Sequence, residues 1–531
     1  MRLLLVEEGI GLEHATPLLL TKILATVGPA TRDVGVLVKL IEAGARCFRL
    51  NFSHGTFDDF EATLKLVRKA AAETGMSIGV LGDLSGPKIR VTTVPGDGIV
   101  LSVGDHVELT ARDVEASRDG ETGVVTLGTT YPKMVEEVEP GDRLLINDGA
   151  IRMLVTDRVG AGDADENGRN PGDPRLICSV LVGGLVTSKK GINLPDSEIS
   201  APALTEWDEQ CAAWAVAHEV DYLALSFVRK AEDVTRLKEM LRGLGRDHRG
   251  LRSHTRLPLV AKIEKPQAIR DLDSIIDEVD AVMVARGDLG VEMDLAEVPV
   301  LQKRIIGACH ERGKAVIVAT QMLESMIQSA TPTRAEVSDV ANAILDGADA
   351  VMLSGETAVG AWPERAVGVM AKTAEKAERY AAELELRVSL PTKQEQSKYR
   401  PLGVARGVEA LCRDLHPRYV VTWSELGGGA RYLAQRRLPM PTIAVSSNPT
   451  ALRQMSLYFG IVPVFMPRPT PPDANASFIE AIDRLLLGNR WAEPGDPIVI
   501  VQGEPLGTPG VTNKIRVHYV GDVCRLTWHA K

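Results

Sequence analysis

Short apolar runs that alternate with helical stretches constrain the fold of this chain more than any other sequence feature. Two such runs lie between Leu19 and Phe52, and the stretch between them has apolar residues at helical spacing, which marks one buried helix face. These residues are Val34, Leu37, Val38 and Ile41. A second helical stretch, Phe57 to Glu73, leads to a third run, Ile78 to Leu81, which ends at Asp83. Repeated strand–helix units of this kind predict a parallel sheet.

The alternation stops after this third run and resumes past Asn193. From about Thr92 to Gly191 the chain has short valine-rich runs broken by Pro-Gly, Gly-Asp and Asp-Gly turns, which predict a small β-rich module. Five further strand-like runs follow the module: Tyr222–Leu225, Leu259–Ile263, Ala281–Val284, Ala315–Ala319 and Ala350–Leu353. Three strands before the insertion and five after it make eight, the number that closes a parallel (β/α)8 barrel.

A polar stretch around Pro391 to Arg400 predicts a linker to another domain. Beyond it, strand-like runs alternate with helical stretches again, at Tyr419–Thr422, Thr442–Ser446, Ile461–Phe465, Ile498–Val501 and Ile515–Tyr519. The proline-rich run Pro467 to Pro472 reads as a loop. We therefore predict an α/β protein with three parts: a (β/α)8 barrel in two segments (1–91 and 192–385), a β-rich lid domain (92–191) and an α/β C-terminal domain (386–531).

Composition narrows the function classes. With 44% hydrophobic and 25% charged residues, the 531-residue chain is an ordinary globular protein, and its net charge of −10 argues against nucleic acid or an anionic membrane as a partner. No apolar stretch is long enough for a signal peptide or a membrane span. The six cysteines are scattered, which favours free thiols and a cytoplasmic location. They are Cys47, Cys178, Cys211, Cys309, Cys412 and Cys524.

Polar residues directly follow the apolar runs. In a (β/α)8 barrel these positions, at the carboxyl ends of the strands, carry the reactive groups. They are Arg49, Asn51, Ser53, His54, Asp83, Ser226, Lys262, Glu264, Arg286, Asp288, Thr320, Ser354 and Glu356. The carboxylates of Glu264 and Asp288 suit Mg²⁺, which prefers oxygen ligands. Arg49, Arg90 and Lys262 suit a phosphoryl group, whose charge a phosphotransferase must stabilise. The Gly287 N–H and the Thr320 hydroxyl could hold phosphate oxygens.

Each of these residues also has a simpler interpretation. A lone carboxylate near a strand end is more often a helix cap or a surface group, and a lone lysine or arginine is usually solvated. Asn51, Ser53 and Thr320 could cap the helices that follow them, and His54 could merely pack locally. The convergence of so many polar residues on one rim favours a functional site over these separate explanations.

Nine segments closely resemble the pyruvate kinase family in order and spacing: TKILATVGPATR, RLNFSHGT, TSKKGINLP, LSFVRKAEDV, AKIEKPQAI, VARGDLGVE, ATQMLESM, TPTRAEVSDVANAILDGADAVMLSGETAVG and GVTNKIRV. They cover the barrel from Thr21 to Gly360 and recur weakly to the end. The resemblance implies an enzyme that moves the phosphoryl group of phosphoenolpyruvate onto ADP, giving pyruvate and ATP, with Mg²⁺ or Mn²⁺ as cofactor. It also implies a homotetramer.

The resemblance further implies roles for individual residues. Arg49 and Lys262 would contact the phosphoryl group, with Lys262 stabilising the transition state, and Ser354 would relay a proton to the enolate through water. Gly287, Asp288 and Thr320 would orient the substrate, and Glu264 with Asp288 would bind Mg²⁺. The nucleotide site would be lined by Asn51, His54, Arg90 and Lys190. The monovalent-cation region corresponds to Asn51, Ser53, Asp83 and the carbonyl of Leu84.

Two segments depart from the family pattern. After the aspartate that ends the third strand, many members carry Thr-Lys-Gly-Pro-Glu. At the first and last of these five positions this chain has Leu84 and Lys88. Because Lys88 brings its own positive charge, we expect no requirement for potassium. The family's Thr-x-Ser-Gly phosphate turn is here TWSELGGGA, with the acidic Glu425. Activation by a sugar bisphosphate in the familiar geometry is therefore not expected, and the effector stays open.

Two other functions compete with the kinase interpretation. A magnesium-dependent lyase or aldolase acting on pyruvate or an enolate would also use paired carboxylates and an arginine, but it needs neither the SKKG segment nor this C-terminal domain. A non-catalytic family member kept as a binding protein is disfavoured because Lys262, Glu264, Asp288 and Thr320 are all present.

Overall fold

The computed structural model describes residues 18–160, 173–244, 257–384, 400–468, 474–508 and 510–522. Eight parallel strands close into a barrel, and the first strand pairs with the eighth through Lys22 and Ala350. In chain order the strands are Lys22–Thr26, Ala45–Asn51, Gly79–Asp83, Tyr222–Leu225, Leu259–Ile263, Ala281–Ala285, Ala315–Ala319 and Ala350–Leu353. The predicted barrel is confirmed, and each of the last six strands lies within two residues of its predicted run.

Helices surround the barrel because their apolar faces pack on strands that are buried on both sides. The predicted face of the first helix is buried at Leu37 and Ile41. The α-helices are Val34–Ala43, Phe57–Thr74, Glu206–Ala217, Ala231–Gly243, Pro266–Arg270, Leu272–Glu278, Arg286–Glu292, Val298–Glu311, Arg334–Leu345, Gly355–Ala358 and Pro363–Glu383, and the 3-10 helices are Pro29–Thr31 and Glu324–Ile327. Thr56, Thr205 and Thr333 start three of these helices with reciprocal capping boxes.

The inserted module is β-rich, as predicted, and contains one short helix, Met134–Glu137, among its described residues. Its main sheet has the strand order Ile192–Asn193, Arg143–Ile146, Ile151–Val159, Arg175–Val182, His106–Thr110, Val125–Gly128 and Ser117–Arg118. A two-stranded sheet pairs Ile99–Leu101 with Gly184–Val186. Valines and leucines from the facing strands form a separate core. The domain boundaries stay predictions, although Ile192–Asn193 joins this sheet just past the predicted limit.

The C-terminal domain is built on a five-stranded sheet with the order Ile461–Phe465, Thr442–Ser446, Tyr419–Trp423, Pro497–Gln502 and Lys514–Tyr519. Its last strand is antiparallel to the others. The accompanying helices are Arg400–Leu415, Gly428–Ala434, Pro449–Met455 and Ala474–Gly488. Arg400 therefore begins a helix and is not part of a linker, while the rest of the predicted linker and most of the loop Pro467 to Pro472 lie outside the described residues.

The C-terminal domain contacts the amino end of the barrel strands, opposite the end that carries the predicted site. Asp221 joins the two parts, because its carboxylate accepts from Arg68 of the barrel at 2.9 Å and from Arg453 of the C-terminal domain at 2.7 Å. In the part of the chain that the structure describes, no helix is both long and apolar enough to cross a membrane. Five cysteines are buried free thiols, and Cys524 lies outside the described residues.

Candidate active site

Two cations lie on either side of one buried carboxylate at the carboxyl end of the barrel. Arg49 lies near the end of the second strand, and its Nε donates to Asp83 Oδ2 at 2.6 Å. Lys262 comes from the fifth strand, and its Nζ is 3.4 Å from Asp83 Oδ1. Side-chain exposure is 13% for Arg49, 11% for Lys262 and 2% for Asp83, so these charges interact largely away from water.

Lys262 has two further partners, Glu264 Oε1 at 2.9 Å and the Ser226 hydroxyl at 2.8 Å. Burial alone would lower the pKa of Lys262, but the carboxylates of Asp83 and Glu264 outweigh it and raise that pKa. Burial alone would raise the pKa of Asp83, but the charges of Lys262 and Arg49 outweigh burial and lower that pKa. The lysine is therefore held in its charged form and its ammonium group is fixed in place.

Glu264 and Asp288 form a carboxylate pair whose charges repel each other. Glu264 Oε2 accepts from the Phe227 N–H at 2.7 Å. Burial and the charge of Glu264 raise the pKa of Asp288 to about 6, with Lys262 opposing the rise. A divalent cation would relieve this repulsion, and hard oxygen donors are what Mg²⁺ prefers. No group of three or more His, Cys, Asp or Glu side chains suited to a metal occurs among the described residues.

A turn of the β-rich module reaches this pair. Asn147 and Asp148 both have left-handed backbone conformations, with φ of 56° and 53°. The next residue, Gly149, lies so close to the helix that carries Asp288 that a Cβ there would sit 3.5 Å from Val291 Cγ1. The charge of Asp148 contributes to the raised pKa of Asp288. In the sequence, the pair Asp148–Gly149 indicates only a turn, so the approach of Asp148 to this site could not be predicted from it.

Gly287 and Thr320 are joined directly. The Gly287 N–H donates to Thr320 Oγ1 at 2.7 Å, and the same hydroxyl donates to the Ala319 carbonyl at 2.6 Å. Thr320 has a φ of +70°, and Arg286 Nη2 donates to the Thr320 carbonyl at 2.9 Å. A left-handed threonine costs on the order of 1 kcal/mol or more and persists where neighbours hold it, as Arg286 does here.

The predicted nucleotide-site residues lie around the junction of the barrel with the β-rich module. Partial burial and the charges of Lys88, Arg90 and Arg49 lower the pKa of His54, which keeps the ring neutral near pH 7. Arg90 Nη1 donates to the Lys189 carbonyl at 2.7 Å, and Arg90 forms a bridge with Gly191 that brings the neighbouring Lys190 to this junction.

Asn51, Ser53 and Thr320 do not cap the helices that follow them, so the capping alternative is wrong for these three residues. Asn51 Oδ1 accepts from the Ser53 N–H at 3.1 Å, but Thr56 caps the helix Phe57–Thr74. The next helix after Thr320, the 3-10 helix Glu324–Ile327, is preceded by Leu323. These polar side chains therefore have no capping role that would explain their positions.

Lys88 lies in the predicted monovalent-cation region. Its Nζ donates to the Ser53 hydroxyl at 3.0 Å. Burial and the charges of Arg90 and Lys262 lower the pKa of Lys88, while Asp83 acts in the opposite direction. The Leu84 side chain is fully buried, and its carbonyl accepts from the Ser226 hydroxyl at 2.6 Å.

Ser226 follows the fourth strand and links it to the third. A hydroxyl has one hydrogen, so Ser226 donates to the Leu84 carbonyl and accepts from Lys262. This contact between neighbouring strands could not be predicted from local sequence.

Ser354 stands apart from these contacts. Its Oγ is buried and has no hydrogen-bond partner in the described structure. Its N–H donates to Glu356 Oε2 at 2.7 Å, and the buried Glu356 also accepts from the Leu323 N–H at 3.0 Å. The hydroxyl is therefore free to bond to a group that enters the barrel end.

Comparisons with known proteins show which family the chain belongs to. The family model described as the pyruvate kinase barrel domain matches residues 19–367, and the one described as the pyruvate kinase alpha/beta domain matches residues 402–518. The chain belongs to the pyruvate kinase family. Members of this family are enzymes, and the predicted enzyme class is supported along almost the whole chain.

Individual pyruvate kinases are similar to this chain over most of their length. That of Mycobacterium intracellulare is 40% identical over 502 residues, which is 94% of this chain and 98% of the relative. That of Corynebacterium glutamicum is 39% identical over 506 residues, 95% of this chain and 98% of the relative. That of Geobacillus stearothermophilus is 35% identical, and the match covers 95% of this chain and 81% of the relative. The chain is thus matched in the barrel, the inserted module and the C-terminal domain.

Proposed function

We propose that this enzyme transfers the phosphoryl group of phosphoenolpyruvate to ADP in a Mg²⁺-dependent reaction that yields pyruvate and ATP, the final step of glycolysis. The observation that carries the proposal is the buried contact of Lys262 with Asp83 and Glu264, beside Arg49 and the carboxylate pair. In phosphoryl transfer the protein mainly positions the reactants and stabilises charge, and this rim offers both.

Arg49 and Lys262 would bind the phosphoryl oxygens. During transfer, the bond between phosphorus and the enol oxygen breaks while a bond to a β-phosphate oxygen of ADP forms, and negative charge spreads over the phosphoryl oxygens. Lys262 would stabilise that charge most in the transition state, because its ammonium group is already held by Ser226 and the carboxylates. The fixed orientation means that little reorganisation is needed at the moment of reaction.

Glu264 and Asp288 would hold Mg²⁺, with Mn²⁺ as an alternative, and the bound ion supplies positive charge next to the transferring group. The Gly287 N–H and the Thr320 hydroxyl would orient the substrate at the same rim. The enolate left after transfer must gain a proton at its methylene carbon. Ser354 would relay that proton through water, which agrees with its buried and unpartnered hydroxyl.

The nucleotide would lie between the barrel and the β-rich module, near Asn51, His54, Arg90 and Lys190. We propose that the module, residues 92–191, moves as a lid. Closure would bring Lys190 toward the phosphates and exclude water, so that transfer to ADP outcompetes hydrolysis. The turn at Gly149 lies beside the helix that carries Asp288, so movement of the module would change the surroundings of the carboxylate pair.

We also propose that the enzyme works without potassium. Lys88 donates to Ser53, a residue of the predicted monovalent-cation region, and its charge acts on Asp83. The Leu84 carbonyl of the same region is used by Ser226. A fixed ammonium group would supply the charge that a bound cation otherwise provides and would repel a free one.

We do not expect a sugar bisphosphate to activate this enzyme. Glu425 lines a cleft of about 510 Å³ in the C-terminal domain, where its carboxylate accepts from Trp423 at 3.1 Å and from Ser447 at 2.6 Å. A second negative group would be repelled there. Initial rates at subsaturating phosphoenolpyruvate, with and without fructose 1,6-bisphosphate, test this, and a clear activation would contradict it.

A coupled assay for pyruvate formed from phosphoenolpyruvate and ADP, with and without Mg²⁺, tests the main proposal. We expect turnover only with the metal present. A non-catalytic binding protein would give none, and a lyase would consume its substrate without forming ATP. Because family members assemble as homotetramers, light scattering should give about four times 57.3 kDa, and a mass near 57.3 kDa would contradict that assembly.

A further inference from the structure

A buried ion pair lies at the end of the helix that carries the predicted metal ligand Asp288. Glu292 ends the short helix Arg286–Glu292, and Asp288 is in its first turn. The Glu292 side chain is 1% exposed and pairs with Lys265 Nζ, whose side chain is 13% exposed. Residues four apart lie on the same face of a helix, so Glu292 is on the side of this helix that also carries Asp288.

Lys265 connects the ion pair to the other predicted metal ligand, Glu264. The two residues are consecutive in the chain and directly follow the strand Leu259–Ile263. The Lys265 ammonium lies 5.6 Å from the centre of the Phe227 ring, and the Phe227 N–H donates to Glu264 Oε2 at 2.7 Å. The pair therefore holds both the backbone next to Glu264 and the residue that donates to its carboxylate.

Glu292 also contacts the β-rich module. Asn193 Nδ2 donates to Glu292 Oε1 at 2.7 Å. Asn193 belongs to the strand Ile192–Asn193, which pairs with the strand Arg143–Ile146. The second of these strands leads directly into the turn that contains Asp148. The turn near the carboxylate pair is therefore joined to Glu292 through two short strands.

Stability alone does not account for this carboxylate. Glu292 Oε1 accepts from both Lys265 and Asn193, whereas Oε2 is buried and has no hydrogen-bond partner among the described residues. An unmet buried acceptor lowers stability, and such atoms are rare in native proteins. A buried ion pair contributes little stability by itself, because the desolvation of both charges opposes their attraction. The arrangement favours a role in placing the groups that these contacts reach.

We propose that Glu292 is a positioning residue for the two metal-binding carboxylates. It holds Glu264 through Lys265 and Asp288 through their common helix, and it ties the module to both through Asn193. The inference rests on the proposed binding of Mg²⁺ by Glu264 and Asp288. Two carboxylates that repel each other must be held in place to bind one metal, and residues that orient metal ligands typically change metal affinity by about 10–100-fold.

The test uses the full-length chain with Mn²⁺ as the probe, because Mn²⁺ also prefers carboxylate and water ligands. Its binding is measured directly by electron paramagnetic resonance, with no substrate or nucleotide present. Glu292→Gln, Lys265→Met and the double variant are compared with wild type. We expect each single variant to weaken Mn²⁺ binding about tenfold or more, and to lower the thermal midpoint because it leaves one buried charge without its partner.

The double variant separates positioning from stability. Neither charge is left unpaired in it, so the thermal midpoint should recover most of its loss. Mn²⁺ binding should stay about tenfold weaker, because the link between the chain at Glu264 and the helix of Asp288 is still missing. A purely structural ion pair would let both quantities recover together. The double variant also serves where a single variant folds poorly.

A matched control pair lies at the other end of the barrel strands. Lys238 Nζ pairs with Glu278, which precedes the strand Ala281–Ala285. The control variant Lys238→Met/Glu278→Gln removes an ion pair of the same kind and should leave Mn²⁺ binding unchanged. An equal loss of Mn²⁺ binding in this control would overturn the inference.

Asn193→Ala removes only the link to the module. Amide hydrogen exchange in the turn at residues 147–149 should become several-fold faster in this variant, and Mn²⁺ binding should weaken less than in Glu292→Gln. The inference is overturned if Glu292→Gln binds Mn²⁺ as wild type does, or if binding recovers with the thermal midpoint in the double variant. If wild type itself binds no Mn²⁺, the proposed metal site fails and the inference fails with it.

Discussion

At the carboxyl end of the barrel strands, Asp288 is buried next to a second carboxylate, Glu264, whereas at the amino end the buried Asp349 has its own arginine. Burial raises the pKa of both aspartates, but Glu264 adds to the rise at Asp288 and Arg437 opposes it at Asp349. The first arrangement costs stability until a cation binds, and the second supports the domain contact. Buried charge thus serves binding at the carboxyl end of the barrel and stabilises the domain contact at its amino end.

Removing the β-rich module should have the largest effect on the activity at the carboxyl end of the barrel. Replacing residues 92–191 by a short Gly-Ser linker would take away Lys190 and Asp148 but leave both ends of the barrel strands in place. We expect ADP phosphorylation to be lost while the circular dichroism of the barrel is retained. Kinase turnover equal to that of the intact chain would contradict the proposed lid.

Asp288→Asn should separate binding from stability. Loss of a direct ligand is expected to weaken the apparent Mg²⁺ affinity by about a hundredfold. Because the carboxylate is destabilised by burial and by Glu264, its neutral replacement should not lower the thermal midpoint of the metal-free protein. An unchanged Mg²⁺ titration of turnover would exclude Asp288 as a ligand.

The matched variant at the other end of the strands is Arg437→Met. It should lower the thermal midpoint clearly, because it leaves the buried Asp349 without its partner, a change that costs about 3–5 kcal/mol. If the two variants change the thermal midpoint in the same direction and to the same extent, the two ends of the barrel do not differ as described.

Lys88→Glu should create a potassium requirement. Turnover is measured with both substrates saturating in a tetramethylammonium buffer, with and without potassium. We expect the wild type to be indifferent to potassium and Lys88→Glu to be activated about tenfold or more, since its added carboxylate near Asp83 needs a cation. Lys88→Gln serves as the control that removes the charge without adding a carboxylate. A tenfold activation of the wild type itself would overturn the proposal.

The smallest expected effect concerns pH. The pKa of His310 is lowered from 6.5 to about 3. Between these two pH values the unfolded chain therefore binds a proton that the folded chain does not. The contribution of His310 to stability is complete above pH 6.5 and is lost toward pH 3, by up to about 1.4 kcal/mol per pH unit. His310→Gln should flatten the fall of the thermal midpoint in this range. An equal fall in variant and wild type would contradict a neutral buried His310.

Most of the barrel could be predicted because its signal is local. Tyr222–Leu225 is a short apolar run between polar residues, and the strand has these same bounds in the structure. The strand order of the lid could not be predicted, because segments far apart in the chain pair there and a short strand does not encode its partner. Arg175–Val182, for example, pairs with the distant strand His106–Thr110.

The candidate site shows the same limit. Strand-end positions identified Lys262, Glu264 and Asp288, since every parallel strand ends at one rim. The contacts that hold Lys262 in place could not be read from the sequence, because Ser226 and Asp83 approach it from different strands. Asp148 was missed for a related reason, since its approach to Asp288 depends on where the lid sits.

Lys262→Met tests most directly the central claim that buried charge at the carboxyl end of the barrel acts on the transition state. In the coupled assay with saturating substrates and Mg²⁺, we expect turnover to fall by about 10²–10³, the usual effect of losing one charge-stabilising group. Phosphoenolpyruvate affinity, measured by fluorescence titration, should change only a few-fold, and the exposed-lysine variant Lys303→Met should behave as wild type. Lys262→Arg keeps the positive charge and so reports on position alone if the methionine variant folds poorly. Near-normal turnover of folded Lys262→Met would contradict the account.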